Sequence, residues 1–542
     1  MASLAHQLIL DMMAPRVWFL LTLPLLILLV HYSLATWFGV RGARNNQQKQ
    51  QRQQLENDDD HRLPPSPPAL PLLGHLHLVG SLPHVSLRRL AAKHGPDLML
   101  LRLGAMPVLV ASSPRAAEAV LRTHDHVFAS RPHSVVAEVV LYGPSDVGFA
   151  PYGDYWRQAK KLLTTHLLSV RKVQSFRLAR EEEVRAVMAR LREAAAGGAG
   201  AAVDVGGLLG SFTNDMACRA VMGESFRSEG RNKLFRELVA DTSPLLGGFN
   251  VEEFFPFLAR FGVLSKVVRA KSERLRRRWD ELLDKLIEDH KGEYDGDGET
   301  SATGPKDDDD FIHVLLSVRH EYGLTKQQMK AILLDVFFGG IDTSASVLDY
   351  TIVELIQRPH LMKKLQAELR AKIPRGQDVV TEADLADMAY LRAVIKESLR
   401  LRTVTPLLAP RVSMARCTID GYVIPSGVRL LINSWAIARD PSFWEDPEEF
   451  VPERFLDGGG AAHLSFRGND FQFLPFGSGR RMCPGMNLGI ATVEVILANL
   501  LCHFDWELPP GQDGRGIDMS EEFGLVVHRK KKLLLVPKLR VV

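Results

Sequence analysis

The chain has 542 residues, 46% of them hydrophobic, and a formal net charge of only +3. That content can build a substantial core, and the charge offers no general case for binding nucleic acid. The four cysteines, Cys218, Cys417, Cys483 and Cys502, are far apart and form no CxxC pair, which argues against a disulfide framework or a structural zinc site and fits a reducing compartment.

Residues 1–16 form a short leader to an apolar run from Val17 to Val40 that carries no fixed charge. At helical rise it would span roughly 36 Å, enough to cross a hydrocarbon core with some tilt. The rival reading, a cleaved signal peptide, fits less well because the apolar run is too long. Arg41, Arg44, Lys49 and Arg52 follow the run. The positive-inside rule then places the first residues in the lumen and everything downstream in the cytosol. Residues 41–75 combine a polar tether with LPPSPPALPLLG, a semi-rigid proline hinge expected to orient the body against its anchor. A proline-rich ligand for a partner is the other reading of that segment.

Residues 76–542 read as one body, mostly α with a smaller β region. LMLLRLGAMPVLVAS predicts paired strands, and Pro114 to Thr123 a helix. The glycine-rich 194–202 and the acidic 294–310 read as solvated loops. No GxGxxG follows a strand and no GxxxxGK[ST] occurs, so a nucleotide-binding unit is not supported.

Residues 325–359 predict one long buried helix of roughly 48 Å. Thr325 and Gln328 form a capping-box pattern at its start, and Pro359 closes it. Gly339 and Gly340 in its middle each cost about 1 kcal/mol against alanine, and Asp342, Thr343 and Ser344 follow at once. Two readings stay open. One is a close helix contact with a hydroxyl back-bonding to the preceding turn. The other is a distortion where a cofactor or substrate lies against the helix and a hydroxyl–carboxyl pair handles protons.

FLPFGSGRRMCPG, Phe473 to Gly485, is the most informative stretch. Arg480 and Arg481 would favour a thiolate at Cys483. Glycines 477, 479 and 485 let backbone N–H groups approach a sulfur and a flat ligand. Phe476 would cover the loop, and the dipole of a helix starting near Met486 favours an anion. The pattern fits a cysteine bound axially to heme iron. The rival is a structural cysteine in a tight turn.

Phe476, Gly479, Arg481, Cys483 and Gly485 match FxxGxRxCxG, and with this motif the chain resembles the cytochrome P450 family from residue 17 to its end. Gly339 to Ser344 is similar to that family's oxygen-binding groove, Glu397 and Arg400 in KESLR to its ExxR pair, and Pro452-Glu453-Arg454-Phe455 to its PERF motif. The resemblance implies a long central helix over heme b, with the cysteine loop beneath, behind a single N-terminal transmembrane helix. Cys483 would be the iron ligand, with Arg481, Trp156, Arg157 and Arg411 around the propionates. Glu397, Arg400 and Arg454 would be structural, while Asp342 and Thr343 would deliver protons to bound O2. The threonine favours monooxygenation over isomerase or dehydratase chemistry.

By the same resemblance Gly339, Thr405, Leu407, Leu408, Leu525 and Val526 would line the pocket, with residues near 135–147, Phe249 to Phe257, and 338–343. Where many plant relatives carry a histidine and two prolines, this chain has Arg402-Thr403-Val404-Thr405-Pro406. Electrons would come from NADPH through a separate reductase, docked near Lys160, Lys161 and Arg480. The expected setting is the endoplasmic reticulum membrane, with lipid around the anchor. THDHVFASRP, SDVGFAPYGDYW, NDMACRAV and DTSPLLGGFN are similar to grass enzymes of the indole-2-monooxygenase type, which act on the way to benzoxazinoids. Hydroxylation of a terpenoid, phenolic or xenobiotic is the alternative, and a non-catalytic heme-binding protein is the reading from another class.

Overall fold

The structure, a computed structural model, describes residues 62–197, 201–223, 229–248, 250–256, 263–296 and 310–540. The expected anchor at 17–40, the polar tether, Phe249, Phe257 and nearly all of the acidic 294–310 stretch lie outside the described residues. One compact unit comprises Pro64–Ile419 and Ile424–Val542. In a separate small unit, the Val423 N–H donates to the Arg62 carbonyl at 2.8 Å and the Arg62 guanidinium lies 5.2 Å from the Tyr422 ring centre.

The larger unit therefore begins about twelve residues before the expected boundary at 76, counting from Pro64. Prolines donate no N–H, but their carbonyls accept: Pro65 takes the Leu100 N–H at 2.8 Å and Pro67 bonds the His75 ring at 2.8 Å. A Cβ on Gly74 would lie 2.0 Å from the Arg102 carbonyl oxygen, so this proline-rich segment packs tightly on the first strands.

The elements used below are, in chain order, α1 (Pro83–His94), β1 (Leu98–Leu103), β2 (Met106–Ala111), α2 (Asp154–His166), α3 (Arg177–Ala196) and α4 (Val205–Met222). Then come α5 (Val263–Gly296), α6 (Lys326–Gln357), α7 (Pro359–Lys372), α8 (Ala389–Leu401), β3 (Arg411–Val412) and β4 (Arg429–Ile432). The last are α9 (Met486–His503), β5 (Phe504–Glu507), β6 (Glu521–Glu522), β7 (His528–Arg529) and β8 (Leu534–Leu539).

The expected hairpin is β1 and β2, antiparallel from Leu98↔Ala111 to Leu103↔Met106. Its sheet continues through β4, parallel to β2, and then β3. Pro114–Glu118 forms a helix that widens to a π turn over Ala119–Thr123. The C-terminal β6 and β7 form their own two-stranded ladder.

α6 is the axis of the unit. Its Thr325–Gln328 capping box is present, it runs unbroken from Lys326 to Gln357, and Pro359 opens the next helix. It packs on α4, α8 and α9. Its apolar residues face neighbours all round, Leu333, Phe337, Leu348 and Val353 being fully buried. α6 and α9 are long and apolar enough to cross a membrane, yet most of each lies inside the protein, so their hydropathy reflects core burial.

Candidate heme-thiolate site

The cysteine loop is built by two left-handed glycines and a short helical turn. Gly477 has φ 67° and Gly479 φ 71°, with a 3-10 turn over Gly479–Arg481. The Cys483 N–H donates to the Phe476 carbonyl at 3.0 Å, closing the loop, and the Phe476 ring meets Phe466 edge-on at 5.8 Å. The N–H groups of Gly485 and Met486, at the start of α9, point at the sulfur. Burial pushes the thiol up, while those N–H groups and the Lys160 charge pull it toward thiolate. Cys483 is nonetheless an exposed residue.

Asp125 ties this loop down, a role with no local sequence signature. It accepts from the Arg480 N–H at 3.1 Å, the Arg480 guanidinium at 2.7 Å and Arg411 at 3.1 Å. A Cβ on Gly479 would lie 2.5 Å from both the Asp125 carboxylate and the Leu121 carbonyl. Gly479→Ala therefore combines left-handed strain with a backbone collision, and should cost about 2–3 kcal/mol. A lowered melting temperature and less heme per purified chain are the readouts.

Three guanidiniums converge beside the loop. Arg411 is 3% exposed and donates to the Ser478 carbonyl at 2.8 Å. Arg481 donates to the carbonyls of Ala129 at 2.7 Å and Val147 at 3.2 Å, and lies 4.2 Å over the Trp156 ring. Trp156 gives its ring N–H to the same Val147 carbonyl at 3.0 Å. The third, Arg131, was not foreseen from sequence; it donates to Gly148 at 2.8 Å and Pro410 at 2.9 Å.

Burial lowers all three, and neighbouring guanidiniums lower two further: Arg411 to about 10 by burial, Arg481 to about 10 by burial and the Arg411 charge, and Arg131 well below its usual value by burial and both neighbours. The nearby Asp146 and Asp335 are both pushed up by burial, so they do not fully offset this charge. A buried positive excess of planar guanidiniums suits a ligand bearing two carboxylates, as heme does.

Arg157 does not join this cluster. It pairs with Asp154 on the same helix and is 56% exposed. Successive helical residues diverge by about 100°, so with Trp156 turned inward Arg157 faces water. Lys160, four residues after Trp156, lies on the inner side instead: it is 5.2 Å from that ring and bonds the Arg480 carbonyl. Its ammonium drops to about 8 through burial and the Arg481 charge.

Behind the loop, Glu397 and Arg400 are both 0% exposed. Arg400 makes two bonds to the Glu397 carboxylate, at 2.7 and 2.8 Å, and reaches the carbonyls of Ala438, Pro447 and Glu449. Arg454 donates to the same carboxylate at 3.2 Å, and the Val451 N–H at 2.7 Å. The triad thus clamps the segment 438–454 onto α8.

On α6 the helix-contact reading of the glycine pair has its geometry, and the expected distortion is not seen. A Cβ on Gly340 would touch the Ala217 side chain of α4 at 3.8 Å, an ordinary helix contact. Among the described residues nothing beyond the helix's own backbone and the chain neighbours lies within 4 Å of a Cβ placed on Gly339. The Thr343 hydroxyl donates back to the Gly339 carbonyl at 2.7 Å, and the helix stays regular around it. Asp342 pairs with His528 of β7 at 3.1 Å.

The expected pocket residues divide. Thr405 and Leu408 are half-buried, and Leu408, at φ 50°, reaches within 3.6 Å of a Cβ on Gly477. Leu525 is half-buried against the α6 core. Leu407 packs with Leu101, Phe254 and Phe255, and Val526 is 1% exposed within the other core cluster. Among the departing residues, Arg402 bonds the fully buried Glu354, and Thr403 returns its hydroxyl to the Arg400 carbonyl at 2.9 Å.

Comparison with known proteins agrees with this geometry. The family model described as "Cytochrome P450" matches residues 64–536. An indole-2-monooxygenase from Zea mays is 54% identical over 88% of this chain and 87% of its own. An indolin-2-one monooxygenase and a 3-hydroxyindolin-2-one monooxygenase, both from Zea mays, are 53% and 50% identical, each over 88% of this chain and 89% of the relative. A family match across the whole folded unit and relatives at half identity or more place this chain in the cytochrome P450 family, as a heme-dependent monooxygenase drawing electrons from NADPH through a reductase.

Proposed function

We propose that this monooxygenase inserts one oxygen atom into a small, flat apolar ring of the indole or indolin-2-one class. The observation that carries this reading is the identity of 54%, 53% and 50%, sustained over 88% of the chain, with enzymes named as monooxygenases of indole, indolin-2-one and 3-hydroxyindolin-2-one. Half-buried residues agree with it: Phe338, Leu408 and Leu525 would offer apolar surface, and Thr343 and Thr405 hydroxyls. Such a lining rewards a flat ring with one polar edge and penalises charge.

Heme, when bound, supplies the activation of O2. The chain's own residues do the rest. Cys483 would ligate the iron, with the Gly485 and Met486 N–H groups tuning its sulfur. Arg131, Arg411 and Arg481 would hold the propionates, with Trp156 bracing Arg481. Thr343 and Asp342 manage protons beside Gly339.

Upstream, Val17–Val40 anchors the protein in the endoplasmic reticulum membrane as a single pass with a cytosolic body. Reductase docks where Lys161 and the 45%-exposed Arg480 project outward. Lys160 is turned toward the loop and contributes through the cysteine instead.

Membranes carrying the protein and a plant reductase, given NADPH and a panel of indole, indolin-2-one, simple phenolics and terpenes, test the substrate. A single-oxygen gain on an indole ring is expected, and turnover of another class alone would discard the indole reading. In the same assay Thr343→Ala should keep its heme spectrum but lose about 10²-fold in product formed per NADPH, the usual scale of a lost proton-transfer group.

A further inference from the structure

Asp342 does not stand alone beside the groove. Its Oδ2 lies 3.1 Å from Nε2 of His528. β7 delivers that histidine, pairing His528 with Glu522 and Arg529 with Glu521 of β6. On the far side of the ring, Nδ1 is 2.9 Å from the Ser346 hydroxyl, and that hydroxyl donates to the Asp342 backbone carbonyl at 2.8 Å.

A serine hydroxyl has a single proton to give. Since it goes to the Asp342 carbonyl, the Ser346 oxygen accepts from the ring, and Nδ1 carries a hydrogen. Nε2 then meets Asp342 in one of two forms: an imidazolium facing a carboxylate, or a bare nitrogen facing a protonated carboxyl. A bare nitrogen facing a carboxylate would repel. The serine thus fixes the tautomer, so that the pair's further proton sits on Nε2 or on Oδ2, which face each other at 3.1 Å.

The surroundings favour that proton. Burial lowers the His528 pKa, but Asp342, Glu522 of β6 and Asp349 of α6 outweigh it and raise it above the usual value. The nearest guanidinium, Arg529, is engaged with Asp349 at 2.7 and 3.1 Å. The His528 side chain is 35% exposed against 16% for Asp342, so the ring reaches further toward water than the carboxylate does.

We propose that His528 is the positioning residue for proton delivery at Asp342, holding the carboxylate through Nε2 and reloading it with protons from water. The step balances simply: the Nε2 proton passes to the Asp342 carboxylate, leaving a neutral ring that takes its next proton from solvent. The inference rests on monooxygenase chemistry in this groove and is independent of which substrate occupies it.

The test is histidine-labelled NMR of the full-length holoenzyme in its diamagnetic ferrous carbon monoxide form, with the His528 signal identified by its loss in His528→Gln. The wild-type ring should titrate above about 6.5, and in Asp342→Asn the midpoint should fall. Product formed per NADPH should drop about ten-fold in His528→Gln. It should also lose the decline with rising pH that the wild type shows through the histidine midpoint. His528→Arg, charged but unable to release a proton, should not restore it. A midpoint indifferent to Asp342→Asn, or a His528→Gln enzyme with wild-type coupling and pH profile, overturns the proposal. Should His528→Gln fail to bind heme, the Asp342→Asn titration decides alone, with the signal assigned through Ser346→Ala.

Discussion

Arg400→Ala will yield a protein that melts far below the wild type and retains little heme. Its guanidinium is fully buried and engages both oxygens of Glu397, itself 0% exposed, as well as three carbonyls on the segment 438–449. Removing one partner of a buried pair typically costs about 3–5 kcal/mol, because the remaining charge is left uncompensated. Here the Ala438, Pro447 and Glu449 carbonyls lose their donor too, and Arg454 alone at 3.2 Å cannot replace a two-point bond.

The damage should reach the heme without any contact with it. The clamped segment leads through the Pro452–Phe455 turn to Phe473, which packs with Phe455 and Trp444, and so to the start of the cysteine loop. Arg400→Lys keeps the charge but not the planar fork and should be damaged nearly as much. Thermal melting and heme-to-protein ratio check both variants. A stable Arg400→Ala protein with full heme would show that the triad is dispensable.

What could be read from sequence was local. The Thr325–Gln328 box, the β1–β2 hairpin and the cysteine loop each occupy one short window whose residue types state their own geometry. The Glu397–Arg400 pair is also local, on successive turns of α8. What escaped was contact across the chain. Asp125 meets Arg480, His528 meets Asp342, and Arg131 meets the Pro410 carbonyl, each linking stretches with no periodicity in common.

Misplacements were of two kinds. Arg157 and Lys160 were assigned by their neighbourhood in sequence, when their side of α2 decides which one faces the site. Val526 was assigned by its place near a pocket, when the bend at 524–526 turns it into the core while Leu525 stays half-buried.

A buried carboxyl pair makes the second large effect, and it depends on pH. Asp335 of α6 accepts the Val147 N–H at 2.5 Å and the Gly148 N–H at 3.2 Å with one oxygen. Asp146, 0% exposed, accepts the Phe149 N–H at 2.8 Å. The two carboxyls thus pin the turn whose carbonyls Arg131 and Arg481 hold from the other side. Burial and the Asp146 charge raise Asp335 well above the usual carboxylate range, and burial raises Asp146 to about 6.

Asp335→Ala strips both N–H groups of their acceptor, at about 1–3 kcal/mol each, and frees the turn that carries the Arg481 contacts. Asp335→Asn should behave differently. Its amide oxygen can accept both N–H groups while its NH2 donates to Asp146, reproducing the protonated pair with no proton to lose.

The sign of the pH effect follows from linkage. Folded carboxyls raised above the unfolded value of about 4 bind protons more tightly in the native state, so their contribution is complete below about pH 4 and fades as pH rises through about 6 and beyond. Melting temperatures of the wild type and Asp335→Asn, measured from pH 4 to 8, should therefore diverge, with the asparagine variant gaining on the wild type as pH increases. Parallel curves would mean that the carboxyls ionise independently and that the arginines alone hold the turn.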